Sequence, residues 1–215
     1  MPHILNVYFA GLALSSSLII AIGAQNAHVL RQGIKREYVF LVAGLCTFTD
    51  MSLIALGTAG FGTMIARFPL LTSIAAWGGA GFLLFYGFMS FRSARSPRTL
   101  NIDDNSENLH QPQNLKSIIL LTLAVSLLNP HVYLDTFILI GGLAAQYPND
   151  ERIFFGLGAA TASLVWFFGL AYGARLLEPL FRKPAAWRVL DILIGIVMWS
   201  IAISLLIGEA SPSNK

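Results

Sequence analysis

Six long apolar stretches limit what this chain can become: Leu5 to Leu30, Val39 to Ala66, Leu70 to Phe91, Leu115 to Ala144, Ile153 to Leu176 and Trp187 to Ile207. A helix of about 20 such residues crosses the roughly 30 Å of a bilayer's hydrocarbon core. Backbone groups in lipid have no water to bond, so helices, which satisfy them internally, are the expected elements. Composition agrees. With 55% hydrophobic and 12% charged residues over 215 positions, and a mean hydropathy of +0.66, too little polar surface remains for a water-soluble domain. The first stretch is preceded by His3 but by no Lys or Arg and is too long for a signal core, so it is expected to stay in the mature protein. Cys46, the single cysteine, excludes an intramolecular disulfide and a cysteine metal site and reads as a buried, inert thiol.

Basic residues orient the spans, because Lys and Arg in short loops stay on the cytoplasmic side. Three connections hold most of them: Arg31, Lys35 and Arg36; Arg92, Arg95, Arg98 and Lys116; and Arg175, Arg182, Lys183 and Arg188. With six spans all three fall on one side, the cytoplasm. The other side receives Arg67, Arg152 and Lys215, so both termini are expected to be extracytoplasmic. The net charge of +3 is thereby accounted for as a solvated face, without a nucleic-acid partner.

The chain divides in two. Residues 93–114 are rich in Ser, Asn, Asp and Pro and have no apolar period, the composition of a flexible linker. It is expected to be cytoplasmic and to separate a three-helix repeat over residues 1–92 from another over 115–215. Several signals recur across it in the same order. Asn26-Ala27-His28-Val29 answers Asn129-Pro130-His131-Val132; Gly44-Leu45, Thr49 and Gly57 answer Gly156-Leu157, Thr161 and Gly169; Arg67-Phe68-Pro69 answers Arg182-Lys183-Pro184. Three spans per half is an odd number, so the halves enter the membrane from opposite sides. The expected fold is therefore an all-α integral membrane protein of six transmembrane helices in two inverted repeats, an arrangement associated with secondary transporters.

Both copies of the first motif are polar where polarity is expensive, and there helices 1 and 4 are expected to break. Asn129 suits a helix cap followed by Pro130 at the first helical position, since proline lacks only an N–H that the first turn does not use. Gly23 loosens the matching segment, where Gln25 and Asn26 supply amides. A helix start presents free N–H groups and partial positive charge to an anion such as a carboxylate. The competing reading of Pro130 is a simple kink satisfied by a neighbour or by Ser126.

Asp50 lies in the middle of the second span, where an aspartate costs about 2.5 to 3.5 kcal/mol. It is expected to face the protein interior or water, as a ligand for a cation or proton or as a structural carboxylate bonded to Thr47, Thr49 or Tyr133. Asp135 follows Pro130 early in the proposed half-helix. Tyr133, one turn past the break, is a candidate cavity residue. His28 and His131 read as hydrogen bonders near helix ends, with a proton relay at His131 as the minor option. No His-x-x-x-His pair or His-rich tract is present, so no metal is expected. Trp77, Trp187 and Trp199 suit interfacial anchoring. Gly57, Gly60 and Gly62, with Gly78, Gly79 and Gly81, have no phosphate-loop lysine beside them and suit close helix packing.

These residues resemble a known family. Ile22-Gly23-Ala24-Gln25-Asn26-Ala27, Val29-Leu30-Arg31-Gln32-Gly33, Asp50, Trp77-Gly78-Gly79-Ala80 and Asn129-Pro130-His131-Val132-Tyr133-Leu134-Asp135-Thr136 resemble the LysE/ArgO branch of the lysine exporter superfamily over nearly the whole chain. The resemblance implies export of L-lysine and L-arginine from the bacterial cytoplasm, across the inner membrane, driven by ion gradients and not by ATP. It implies no enzyme activity and no cofactor.

Taken together, Gln25, Asn26 and Asn129 at the two helix starts, with Pro130 setting one break and Tyr133 beside it, are expected to hold a substrate carboxylate. Asp50 and Asp135 take its cationic end, and Asp50, Asp135 and His131 are the candidates for coupling to H+. Buried carboxylates favour a basic side chain because a desolvated cation is costly unless paired. An exporter of neutral amino acids or other small metabolites, in which the carboxylates only carry protons, and a channel or scaffold are the alternatives. Assembly into a homo-oligomer, the choice between lysine and arginine, and the coupling ion stay open.

Overall fold

The computed structural model describes residues 2–20, 23–60, 69–95, 114–181 and 183–210, and helices fall in all six apolar stretches. Helix α1 (Pro2–Ile19) ends just before α2 (Ala24–Lys35) begins. A turn through Arg36 and Tyr38, both left-handed, leads into α3 (Val39–Thr58). Helix α4 is Pro69–Arg95 and α5 is Leu115–Leu127. Helix α6 (130–144) starts as Pro130–Tyr133, runs through a π-helical stretch Leu134–Ile140, and finishes as Gly141–Ala144. Helix α7 (Asn149–Gly173) tightens into a 3-10 turn at Ala174–Leu177; α8 (Glu178–Phe181) is one turn, and α9 is Pro184–Ala210. Among the described residues there is no strand.

Val39–Thr58, Asn149–Leu177 and Pro184–Ile207 are each long and apolar enough to cross a membrane. His3–Ile19 with Ala24–Lys35 makes a further, broken candidate bent by 79°. Leu115–Leu127 and Leu134–Ala144 are apolar but too short to cross singly. Large apolar side chains such as Phe40, Phe48, Phe85, Leu120 and Val165 point outward, as lipid-facing residues do. Most of the 93–114 linker, together with Gly62, Arg67, Phe68, Arg98, Arg182 and Lys215, lies outside the described residues.

Helix α1 packs along α7 and α4 along α9, while α3 is central and touches α5, α6 and α7. Backbone approach decides the α1/α7 crossing. A Cβ on Gly158 would stand 2.0 Å from the Tyr8 carbonyl oxygen, and one on Gly11 would stand 2.1 Å from that of Phe155, so only glycine fits at either point. The packing expected of Gly78 and Gly81 is corrected: a Cβ there would meet nothing within 4 Å. Trp187 is also corrected. It is 6% exposed and donates to the Phe181 carbonyl at 2.8 Å, a core residue and not an interfacial anchor.

Candidate functional site

Each break is closed on its upstream side by a side chain from the helix that follows. Asn26 Nδ2 donates to the Ile19 carbonyl at 2.7 Å, taking up an acceptor that the end of α1 leaves unused. The Tyr133 hydroxyl donates to the Leu127 carbonyl at 2.6 Å and does the same for α5. The downstream sides differ. Gly23 caps α2 with extended backbone and no side-chain bond, which puts Asn26 inside the first turn, whereas Asn129 directly precedes the first residue of α6. The two asparagines match in sequence but not in position on their helices.

A cavity of about 280 Å³ lies between the breaks. Its polar lining is Ser15, Gln25, Asn26, Asp50, Asn129, Asp135 and Thr136, and its apolar wall includes Leu18, Ile19, Val132, Ile140 and Ile201. Five of the residues singled out from the sequence therefore share one space. Tyr133 is not on that wall, because its hydroxyl turns back to Leu127. Pro130 opens α6, and the side chains of Pro130 and His131 lie outside the described residues.

Asp50 is 9% exposed and accepts a hydrogen bond from Ser163 Oγ at 2.8 Å. Of the neighbours expected from sequence, Thr49 donates to the Leu45 and Cys46 carbonyls and Tyr133 to that of Leu127, while the buried Thr47 hydroxyl makes no hydrogen bond among the described residues. Asp135 lies within electrostatic reach of Asp50. It is carried by the π-helical stretch, which also turns Thr136 and Ile140 toward the cavity; such stretches are frequent at functional sites. Gln25 is buried at the start of α2, and its Nε2 makes no hydrogen bond of ordinary geometry among the described residues, with the Cys46 thiol in reach, which leaves a donor at the cavity wall. Asn26 Oδ1 accepts from Trp166 Nε1 at 3.1 Å, so both ends of this amide hold the scaffold.

His28 is 1% exposed and stands away from the cavity, 3.0 Å from Thr122 Oγ1. Thr122 donates its own proton to the Ile118 carbonyl at 2.7 Å, so it accepts from His28 Nε2–H. Among the described residues no three His, Cys, Asp or Glu gather as a metal would need.

Sequence reasoning passed over three features. Ser163 and Ser15 are hydroxyls in apolar helices, an ordinary occurrence that carries no signal by itself. Asp191 is the third. It is 2% exposed, near the start of α9, and pairs with the guanidinium of Arg31 on α2. Placed three residues after Arg188, it reads from sequence as an interfacial charge.

The LysE type translocator family matches residues 16–209. The arginine exporter protein ArgO of Serratia proteamaculans is 44% identical over 201 residues, 94% of this chain and 96% of its own length. That of Escherichia coli K12 is 43% identical over 198 residues, 92% of each. A putative amino-acid transporter of Mycobacterium tuberculosis H37Rv is 45% identical over 197 residues, 92% of this chain and 94% of its own. No solved structure matches the chain.

Proposed function

Because this chain belongs to the LysE type translocator family, and is thus a membrane transporter and not an enzyme, we propose that it exports basic amino acids, L-arginine and L-lysine, from the bacterial cytoplasm. The observation that carries this is the shared cavity, which joins two helix starts to two carboxylates. A free amino acid with a cationic side chain has matching ends. Its carboxylate suits the N–H groups opening α2 and α6 and the Gln25 amide, and its guanidinium or ammonium suits Asp50 and Asp135. The relatives named as arginine exporters favour arginine as the first substrate to test.

We further propose six spans in two inverted repeats, with α1–α2 and α5–α6 as the broken first and fourth, residues 1–92 and 115–215 as the halves, and both termini outside the inner membrane. The packing supports it. Exchanging the halves turns α1 into α5, α2 into α6, α3 into α7 and α4 into α9. Under that exchange α1 on α7 becomes α5 on α3, α2 on α7 becomes α6 on α3, α1 on α6 becomes α5 on α2, and α2 on α9 becomes α6 on α4; every one of these pairs is in contact. Two halves related in this way rock against each other and expose the cavity to either side in turn. Protonation of Asp50 on release couples export to the proton gradient.

The test is purified protein in liposomes loaded with labelled arginine, lysine or leucine, with efflux followed under imposed pH and voltage gradients. Saturable efflux of arginine and lysine but not leucine is expected. Preferred efflux of leucine would move the protein to the neutral exporters, and unsaturable flux would make it a channel.

A further inference from the structure

Helix α2 carries polar side chains among its buried residues. Gln25, Asn26, His28 and Gln32 are all under 9% exposed, and Arg31 is held against Asp191. Asn26 and His28 are bonded within the fold, to Ile19 and Trp166 and to Thr122, so the cost of burying them is offset locally. The buried charge at Arg31 and Asp191 is the feature that a moving α2 would disturb. Below the cavity the helix is sealed: Val29, Ile34, Ile118, Val125 and Phe167 are buried around α2. The cavity wall comes mostly from α6 and the end of α1, takes one residue each from α3 and α9, and takes from α2 only its start, Gly23, Gln25 and Asn26. Substrate arriving from the side of the connections that hold Lys35, Arg36, Lys183 and Arg188, the cytoplasm in the topology proposed above, meets the end of α2 and the start of α9.

The Arg31–Asp191 pair sits on that route. Arg31 follows Asn26 by little more than one helical turn, and Asp191 precedes Ile201 by about three turns, at about 1.5 Å per residue. The Asp191 side chain is 3% exposed and that of Arg31 is 20% exposed, so the carboxylate is fixed inside the protein while its partner reaches in from the edge. If α2 withdraws, Arg31 goes with it and Asp191 loses its only described ion-pair partner inside a membrane protein, a state strongly disfavoured without a replacement cation. A guanidinium or primary ammonium on the incoming substrate is a replacement of the same chemistry.

We propose that Asp191 is a second cation-binding site, on the cytoplasmic path to the cavity, where the side chain of a basic amino acid takes the place of Arg31 as α2 moves aside. The exchange keeps the buried charge paired at each stage and leaves a neutral amino acid without a means of displacing Arg31. It adds to the cavity carboxylates a selection step before the cavity is reached. This inference rests on the basic amino-acid reading above.

The test compares three full-length variants in liposomes, with arginine supplied to the face corresponding to the cytoplasm and, separately, to the other. Wild-type transport of arginine or lysine is the control, and its absence would defeat the proposed substrate without bearing on Asp191. Arg31→Gln removes the competitor and is expected to lower the cytoplasmic-side KM for arginine. Arg31→Gln with Asp191→Asn removes both charges and so buries no unpaired ion. It is expected to raise that KM about tenfold, the size of one charge-assisted hydrogen bond, and to leave the opposite-side KM unchanged. A pair that only holds the fold gives the reverse pattern, with the single variant impaired and the double neutral variant close to wild type on both faces. That pattern, or equal KM changes on the two faces, overturns the assignment.

Discussion

The Ser163 hydroxyl donates to Asp50 Oδ2 at 2.8 Å, and both residues are buried. The bond joins α3 to α7, the middle helices of the two proposed halves, at the cavity wall. It orients one carboxylate oxygen and leaves the other to face the cavity or a bound cation. Ser163→Ala removes that donor, a loss of about 0.5 to 1.5 kcal/mol for an ordinary hydrogen bond and more where a charge is involved. The expected result is a KM for arginine raised about fivefold with folded yield near that of the parent. Reduced yield with unchanged KM in the surviving protein would make Ser163 a packing residue only.

Asn26 carries a different load. Its Nδ2 takes the Ile19 carbonyl and its Oδ1 takes the Trp166 indole N–H. Asn26→Leu leaves both without these partners, at about 1 to 3 kcal/mol for each buried group, whereas Trp166→Phe removes only the second bond. Thermal unfolding in detergent should show the larger loss of Tm for Asn26→Leu. Equal losses would mean that the Ile19 carbonyl finds another donor and that the break needs no cap from Asn26.

What the sequence revealed and what it hid follow from range. The breaks were visible because Gly23, Gln25 and Asn26, and Asn129 with Pro130, are costly in an apolar run for reasons local to the backbone. Asp50 was visible because a mid-span carboxylate is expensive wherever its partner lies. The partner was not visible, since Ser163 is one of many small hydroxyls in helices and only the α3/α7 crossing selects it. Tyr133 was placed beside the break correctly, but its direction depends on a carbonyl six residues back. Asp191 was lost among interfacial charges because its cation stands 160 positions away.

The α1/α7 crossing should not tolerate a methyl group at Gly158, where a Cβ would lie 2.0 Å from the Tyr8 carbonyl oxygen. Both atoms belong to helices, so relief requires the helices to separate. Gly158→Ala is expected to cost about 1 to 3 kcal/mol and to reduce folded protein sharply. Gly169→Ala, on the same helix with nothing within 4 Å, should be neutral or stabilising. Size-exclusion profiles of the two variants side by side would decide it, and equal profiles would refute the crossing.

Orientation can be read by labelling. Six spans with the basic connections inside place Asp150 outside the cell and Lys183 in the cytoplasm, and both residues are exposed. Cysteines introduced one at a time at these positions, with Cys46→Ser removing the native thiol, should respond differently to an impermeant thiol reagent on whole cells. Asp150→Cys should label and Lys183→Cys should label only after lysis. The opposite result would invert the membrane topology, and with it the face assigned to Asp191.

Charge selection at Asp50 separates the basic amino-acid reading from a neutral one. Asp50→Asn keeps the size of the side chain and its capacity to accept from Ser163, so the α3/α7 contact should survive while the charge at the cavity is lost. If the carboxylate pairs with the substrate cation, arginine and lysine should each lose at least about 1.4 kcal/mol of binding, tenfold in affinity. A neutral amino acid makes no such pair and should lose much less. If Asp50 only carries protons, the ranking of substrates should be intact and the response to a pH gradient should vanish. Counterflow exchange needs no net driving force and so isolates binding from coupling. Exchange that survives in Asp50→Asn with its arginine and lysine preference unaltered removes the pairing role from Asp50, whereas exchange that fails for the basic amino acids alone establishes it.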